Sequence, residues 1–131
     1  MVRGAAQRLL ALGFSGPETH HAGTDFHVTF RRGAVEVSVF SEDMGTDFPA
    51  AHVRWQDGSW TDVTESGTYP TYGGAYPAHE RVWTADGWWG RRAVRKELEP
   101  VLREEFERRV RRLVAAATDL VEESGQGTGA V

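Results

Sequence analysis

The chain has 131 residues, enough for one domain that buries its own core without a metal or a disulfide. It contains no cysteine, which excludes disulfides, thiolate zinc sites, iron-sulfur clusters and a cysteine nucleophile, and fits a reducing compartment. A net charge of −4 argues against nonspecific nucleic-acid binding, which needs a concentrated positive surface.

Arginines interrupt the apolar residues of the first ten positions, so the run is too short for a secretory signal, and no later run approaches the length of a membrane span. The expectation is a cytoplasmic protein with no membrane partner. Residues 2 to 12 place Val2, Ala5, Ala6, Leu9 and Leu10 near one helical face, and Gly13 stands where a left-handed terminating residue would sit. A short first helix is expected, followed by a loop of turn formers over 15–25.

Two strands then face each other, Phe26-His27-Val28-Thr29-Phe30 and Val35-Glu36-Val37-Ser38-Val39, across the turn Arg31-Arg32-Gly33-Ala34. Pairing Phe30 with Val35, Val28 with Val37 and Phe26 with Val39 makes one face apolar and the other polar, because side chains alternate with period 2. After an acidic loop over 41–49, Asp57-Gly58 marks a second hairpin, since a tight turn needs the positive φ that Gly and Asp tolerate. Pairing Gln56 with Ser59 puts Trp55 opposite Trp60 and Val53 opposite Asp62.

The stretch 67–77 is turn-forming yet carries Tyr69, Tyr72 and Tyr76. Val82-Trp83-Thr84 reads as a short fifth strand. From Arg91 the apolar residues recur at steps of three and four, with outward Glu-to-Arg pairs at spacing four: 99 with 103, 104 with 108, 105 with 109 and 107 with 111. Pro100 lacks an amide hydrogen and disfavours helix at Glu99, so a short helix is expected before it and a long one from it. The expected fold is α+β: an antiparallel sheet of four or five strands, with a short N-terminal helix and a long C-terminal helix packed on one face. A single domain over 1–123 and a disordered tail over 124–131 complete it.

Five groups of residues are weighed for function. The polar sheet face gathers His27, Glu36, His52 and Arg54, groups able to bind an anion or move a proton if a pocket encloses them. The histidines lack the spacing of four that lets two share a zinc ion, and Glu42, Asp43 and Asp47 fit no calcium-loop template, so no metal and no cofactor is expected. The aromatic group Tyr69, Tyr72, Tyr76, Trp88 and Trp89 offers large contact area with polar tips, the composition of protein-binding surfaces. Arg91, Arg92, Arg95 and Lys96 belong to a segment over 91–112 with nine basic and five acidic residues. Their interleaved signs read as a solvated helix face rather than a nucleic-acid contact.

The order helix, Leu12-Gly13-Phe14, then Phe26 to Phe30 and Val35 to Phe40, then a long charged helix, resembles small bacterial immunity-type proteins and related families encoded beside toxins. The resemblance covers residues 2 to 65 and the general layout of the rest. It implies a non-enzymatic module that neutralises a partner toxin through an acidic or aromatic surface, and it assigns no binding residue. No hydrolase elbow, phosphate loop, His-Glu-x-x-His or dinucleotide fingerprint is present. The expected function is therefore binding of another protein, with Tyr69, Tyr72, Tyr76, Trp88 and Trp89 as the contact residues. The alternative is a small-molecule binder or enzyme using His27, Glu36, His52 and Arg54.

Overall fold

A computed structural model describes residues 3–22, 25–41, 49–63 and 76–124. In chain order the elements are α1 (Arg3–Ala11), β1 (Ser15–Ala22), β2 (Asp25–Arg32), β3 (Val35–Ser41), β4 (Ala50–Arg54), β5 (Trp60–Val63), α2 (Pro77–Thr84) and α3 (Gly87–Ser124). The five strands form one antiparallel sheet in the order β1-β2-β3-β4-β5, so every neighbour in sequence is a neighbour in space. The fold is α+β. Tyr69, Tyr72, the acidic residues Glu42, Asp43 and Asp47, and the tail after Ser124 lie outside the described residues.

One face of the sheet carries Phe26, Val28, Phe30, Val35, Val37, Val39, Ala51 and Val53, all buried beneath α1 and the second half of α3. From α1 come Ala6 and Leu9, and from α3 Phe106, Val110, Leu113, Val114, Ala117 and Val121. Phe26 meets Phe106 edge to face, with ring centroids 5.4 Å apart. Arg8 of α1 ties to Asp119 and Glu122 of α3 at 2.7 and 3.0 Å, surface contacts that solvent screens.

Several expectations are corrected. The loop over 15–25 is largely strand β1, which pairs with β2 through an irregularity between Ser15 and Glu18. The first hairpin turns on two residues, not four: Arg32 pairs with Val35, Phe30 with Val37 and Val28 with Val39, so the register slips by two and every side chain keeps its face. Gly33 has φ +59°, the geometry a type II′ turn reserves for glycine at its first loop position. The longer hairpin also gains the pair Arg31–Glu36, joined by a 3.1 Å hydrogen bond from the guanidinium.

The second hairpin slips by one, and there the consequence is larger. Arg54 pairs with Trp60, Val53 with Thr61 and His52 with Asp62. The Trp55 and Ser59 backbones close a three-residue loop, with the Asp57 carboxylate accepting from the Ser59 amide at 2.8 Å and Gly58 at φ +85°. Trp55 keeps the core face it shares with Val53, its indole N–H donating to Thr61 Oγ1 at 2.7 Å, while the slip moves Trp60 and Asp62 to the other face. Val82, Trp83 and Thr84 are helix, not strand, and α3 runs through Pro100 without ending. One missing hydrogen bond is tolerated in a helix whose other half is anchored in the core.

Candidate functional site

Strand alternation that buries the valines of β3 and β4 sends their neighbours to the opposite face. There Arg31, Glu36 and Arg54 form one cross-strand row, Thr29, Ser38, His52 and Asp62 the next, and His20, His27 and Phe40 a third. Rings link the rows into a diagonal band. His27 stacks on Phe40 with centroids 6.1 Å apart and planes 22° from parallel, Phe40 lies 5.2 Å from His52, and His52 meets Trp60 edge to face at 4.3 Å. The Arg54 guanidinium sits 5.7 Å from the Trp60 ring centre. Trp60 is 54% exposed, an unusual position for an indole without a partner.

The four residues expected on this face do share it. Glu36 accepts from Arg31 and from Ser38 Oγ, and Arg31 also pairs with Glu18. Partial burial lowers the His52 pKa from its ordinary value, only partly opposed by Glu36 and Asp62, so its imidazole is neutral near pH 7. No described element covers the face. A concavity among the described residues lies at its end, about 250 Å³ between the two hairpin tips, lined by Arg31, Glu36, Arg54, Trp55 and Gln56 among others. That is smaller than a typical ligand pocket, and His27 and His52 are not part of its lining.

The aromatic group divides. Trp88 and Trp89 open α3 side by side, 62% and 75% exposed, their rings edge to face at 4.4 Å. Tyr76 is a correction: its side chain is fully buried just ahead of α2 and is withdrawn from any partner surface. The guanidiniums of Arg108, Arg109 and Arg112 lie 5.1 to 5.8 Å from its ring centre, and its hydroxyl accepts from Arg112 at 3.4 Å.

A second correction concerns Glu105 and Arg109, expected as an outward pair. Both are buried. The Glu105 carboxylate accepts the amide hydrogens of Ala78 and His79, each at 2.9 Å, and lies 2.8 Å from His79 Nδ1. It closes the N-terminus of α2, where the helix dipole favours a negative charge. Arg109 donates to the Pro49 carbonyl at 3.2 Å. The sequence holds no signal for this junction, because the cap comes from 26 residues away. Glu99 with Arg103 and Glu104 with Arg108 do pair on the surface, at 3.6 and 3.4 Å.

Among the described residues no three histidine or acidic side chains gather as a metal site would require. No helix among the described residues is long and apolar enough to cross a membrane. No protein-family model matches the chain, and no curated protein or solved structure matches it at a significant level.

Proposed function

We propose that this protein is a non-enzymatic module that binds a partner protein through the open face of its sheet. The observation that carries the reading is the unbroken ring band His27, Phe40, His52 and Trp60, capped by Arg54. Exposed tryptophan and arginine are the residue types that most often anchor protein interfaces. Around them Arg31 and Arg54 alternate with Glu18, Glu36 and Asp62, a mixed pattern that selects a partner of complementary charge order rather than a uniformly charged polymer.

The small-molecule or enzymatic alternative asks for His27, Glu36, His52 and Arg54 to converge inside a cavity, and their side chains lie spread over a face that no described element encloses. The resemblance of the layout to immunity-type proteins supports a toxin as that partner, neutralised by the module's occupying its surface.

The test immobilises the protein as bait in lysate of its native host, beside the variant R54E/W60S. A stoichiometric protein partner held by the wild type and lost from the variant is expected, with the two unfolding at similar urea concentrations. Equal capture by both, or no partner, would overturn the reading.

A further inference from the structure

The first half of α3 behaves unlike the second. None of residues 87–104 is buried, whereas from Glu105 onward the helix enters the core. Trp89 therefore stands 16 residues, or about 24 Å at the helical rise, ahead of the first buried residue of its own helix. Together with α2, which packs alongside, this half makes a helical hairpin whose turn at Ala85 and Asp86 leads directly into the two tryptophans.

We propose that the tip of this hairpin docks on an anionic lipid bilayer, Trp88 and Trp89 entering the interface while Arg91, Arg92, Arg95 and Lys96 engage the headgroups. This surface shares no residue with the sheet face, so the inference stands independently of the protein-binding reading. That no described helix is long and apolar enough to cross a membrane says nothing against such peripheral contact.

Three observations support it. First, the six residues share a side of the helix: at 3.6 residues per turn they fall within an arc of about 160°, all but the half-buried Arg95 exposed, and the half-buried Gly90 and Val94 lie on the other side. Second, none of the four cations has a carboxylate partner among the described residues, although salt pairs form further along at Glu99 with Arg103 and Glu104 with Arg108. Third, the axial order is that of an interfacial anchor. The cations follow the tryptophans by two to eight residues, about 3 to 12 Å along the axis, matching the depth over which headgroups succeed the hydrocarbon boundary.

The same geometry disfavours single-stranded nucleic acid. Base stacking needs an open ring face, but the Trp88 ring has the Arg92 guanidinium 5.5 Å from its centre, and Trp89 stands at 82° to it. The chain as a whole carries −4, so the local cations orient this end toward an anionic surface without holding it there alone. Both the indoles and the cations are therefore required, consistent with the two-signal rule for stable peripheral binding.

Co-sedimentation with vesicles tests this directly, using phosphatidylglycerol and phosphatidylcholine in equal parts, phosphatidylcholine alone, and a single-stranded oligonucleotide as a separate probe. The wild type is expected to sediment with the mixed vesicles and to bind pure phosphatidylcholine at least about tenfold more weakly. W88S/W89S and the fourfold glutamine variant of Arg91, Arg92, Arg95 and Lys96 each lose at least about tenfold on the mixed vesicles, with unchanged far-ultraviolet circular dichroism. Failure of the wild type to sediment, equal sedimentation by W88S/W89S, or oligonucleotide binding that the same variants abolish would overturn the proposal.

Discussion

Glu105 holds His79 twice, accepting the backbone amide at 2.9 Å and facing the ring Nδ1 at 2.8 Å through the same carboxylate oxygen. Both side chains are buried, and this carboxylate fastens α2 to α3 beside the buried Tyr76, Ala78 and Val82. Glu105→Ala leaves the buried Ala78 and His79 amides without their acceptor and is expected to cost about 1–3 kcal/mol, the usual penalty for orphaning buried donors. Glu105→Gln keeps one acceptor oxygen and loses less. Urea denaturation of the two variants measures both, and equal losses would show that charge rather than acceptor geometry holds the junction.

Burial pushes the His79 imidazole below its ordinary pKa of 6.5, with Glu105 opposing the shift, and His52 is lowered in the same direction. Between the folded and unfolded values the unfolded chain binds more protons, so stability rises with pH there. The contribution of these histidines is fully present above about pH 6.5 and is lost as pH falls below it. The urea midpoint should therefore drop between about pH 7.5 and about pH 5.5. In His79→Asn, whose amide can still donate to Glu105, the drop should be smaller.

Gly16 has φ +124°, and a Cβ there would stand 2.8 Å from the Thr29 carbonyl oxygen, part of the β2 backbone. A backbone atom within a sheet cannot yield as a side chain could. Gly16→Ala is expected to destabilise by about 1–3 kcal/mol, the cost of a disallowed backbone conformation. A thermal or urea midpoint equal to the wild type would show that β1 can peel from the sheet edge without loss.

The two halves of α3 should respond differently to truncation. Leu113→Ala opens a cavity under the sheet and is expected to cost about 2–5 kcal/mol. Trp88→Ala and Trp89→Ala remove far larger side chains from exposed positions and should stay within about 0.5 kcal/mol of the wild type. Chemical denaturation of the three variants decides the point, and a large loss at either tryptophan would place that ring in a structural role.

The ion pairs at Arg8 offer a contrast. Arg8 bridges to Asp119 and Glu122 across α1 and α3 in exposed geometry. Arg8→Ala should leave stability nearly unchanged, and the small effect should shrink in high salt, because exposed charges are screened by solvent and ions. Midpoints measured in low and in molar salt test this.

Alternation alone placed the residues of β2 and β3 on their correct faces, because a slip of two leaves a period-2 pattern intact. The position of the turn was not legible. Arg31 and Arg32 read as turn residues by polarity, but they extend the hairpin once Glu36 stands opposite Arg31. In the second hairpin a one-residue difference in loop length sent Trp60 outward while Trp55 kept the core face it shares with Val53, and the ring band exists only because of it. β1 was hidden by glycine, proline and histidines, a composition that becomes strand through pairing with β2 rather than through propensity.

At the other end of the chain, Val82, Trp83 and Thr84 have side chains suited to a strand, yet a carboxylate from Glu105 caps the segment as a helix. Tyr76 carries the composition of a contact residue, and three arginines of α3 enclose it. The period of the apolar residues determined the α+β class, the buried valine face and the long last helix, because period depends only on local geometry. Hairpin loop length, the α2 cap and the fate of each aromatic ring depended on groups far apart in sequence. Their energies arise only when those groups meet, so the tertiary structure alone decided them.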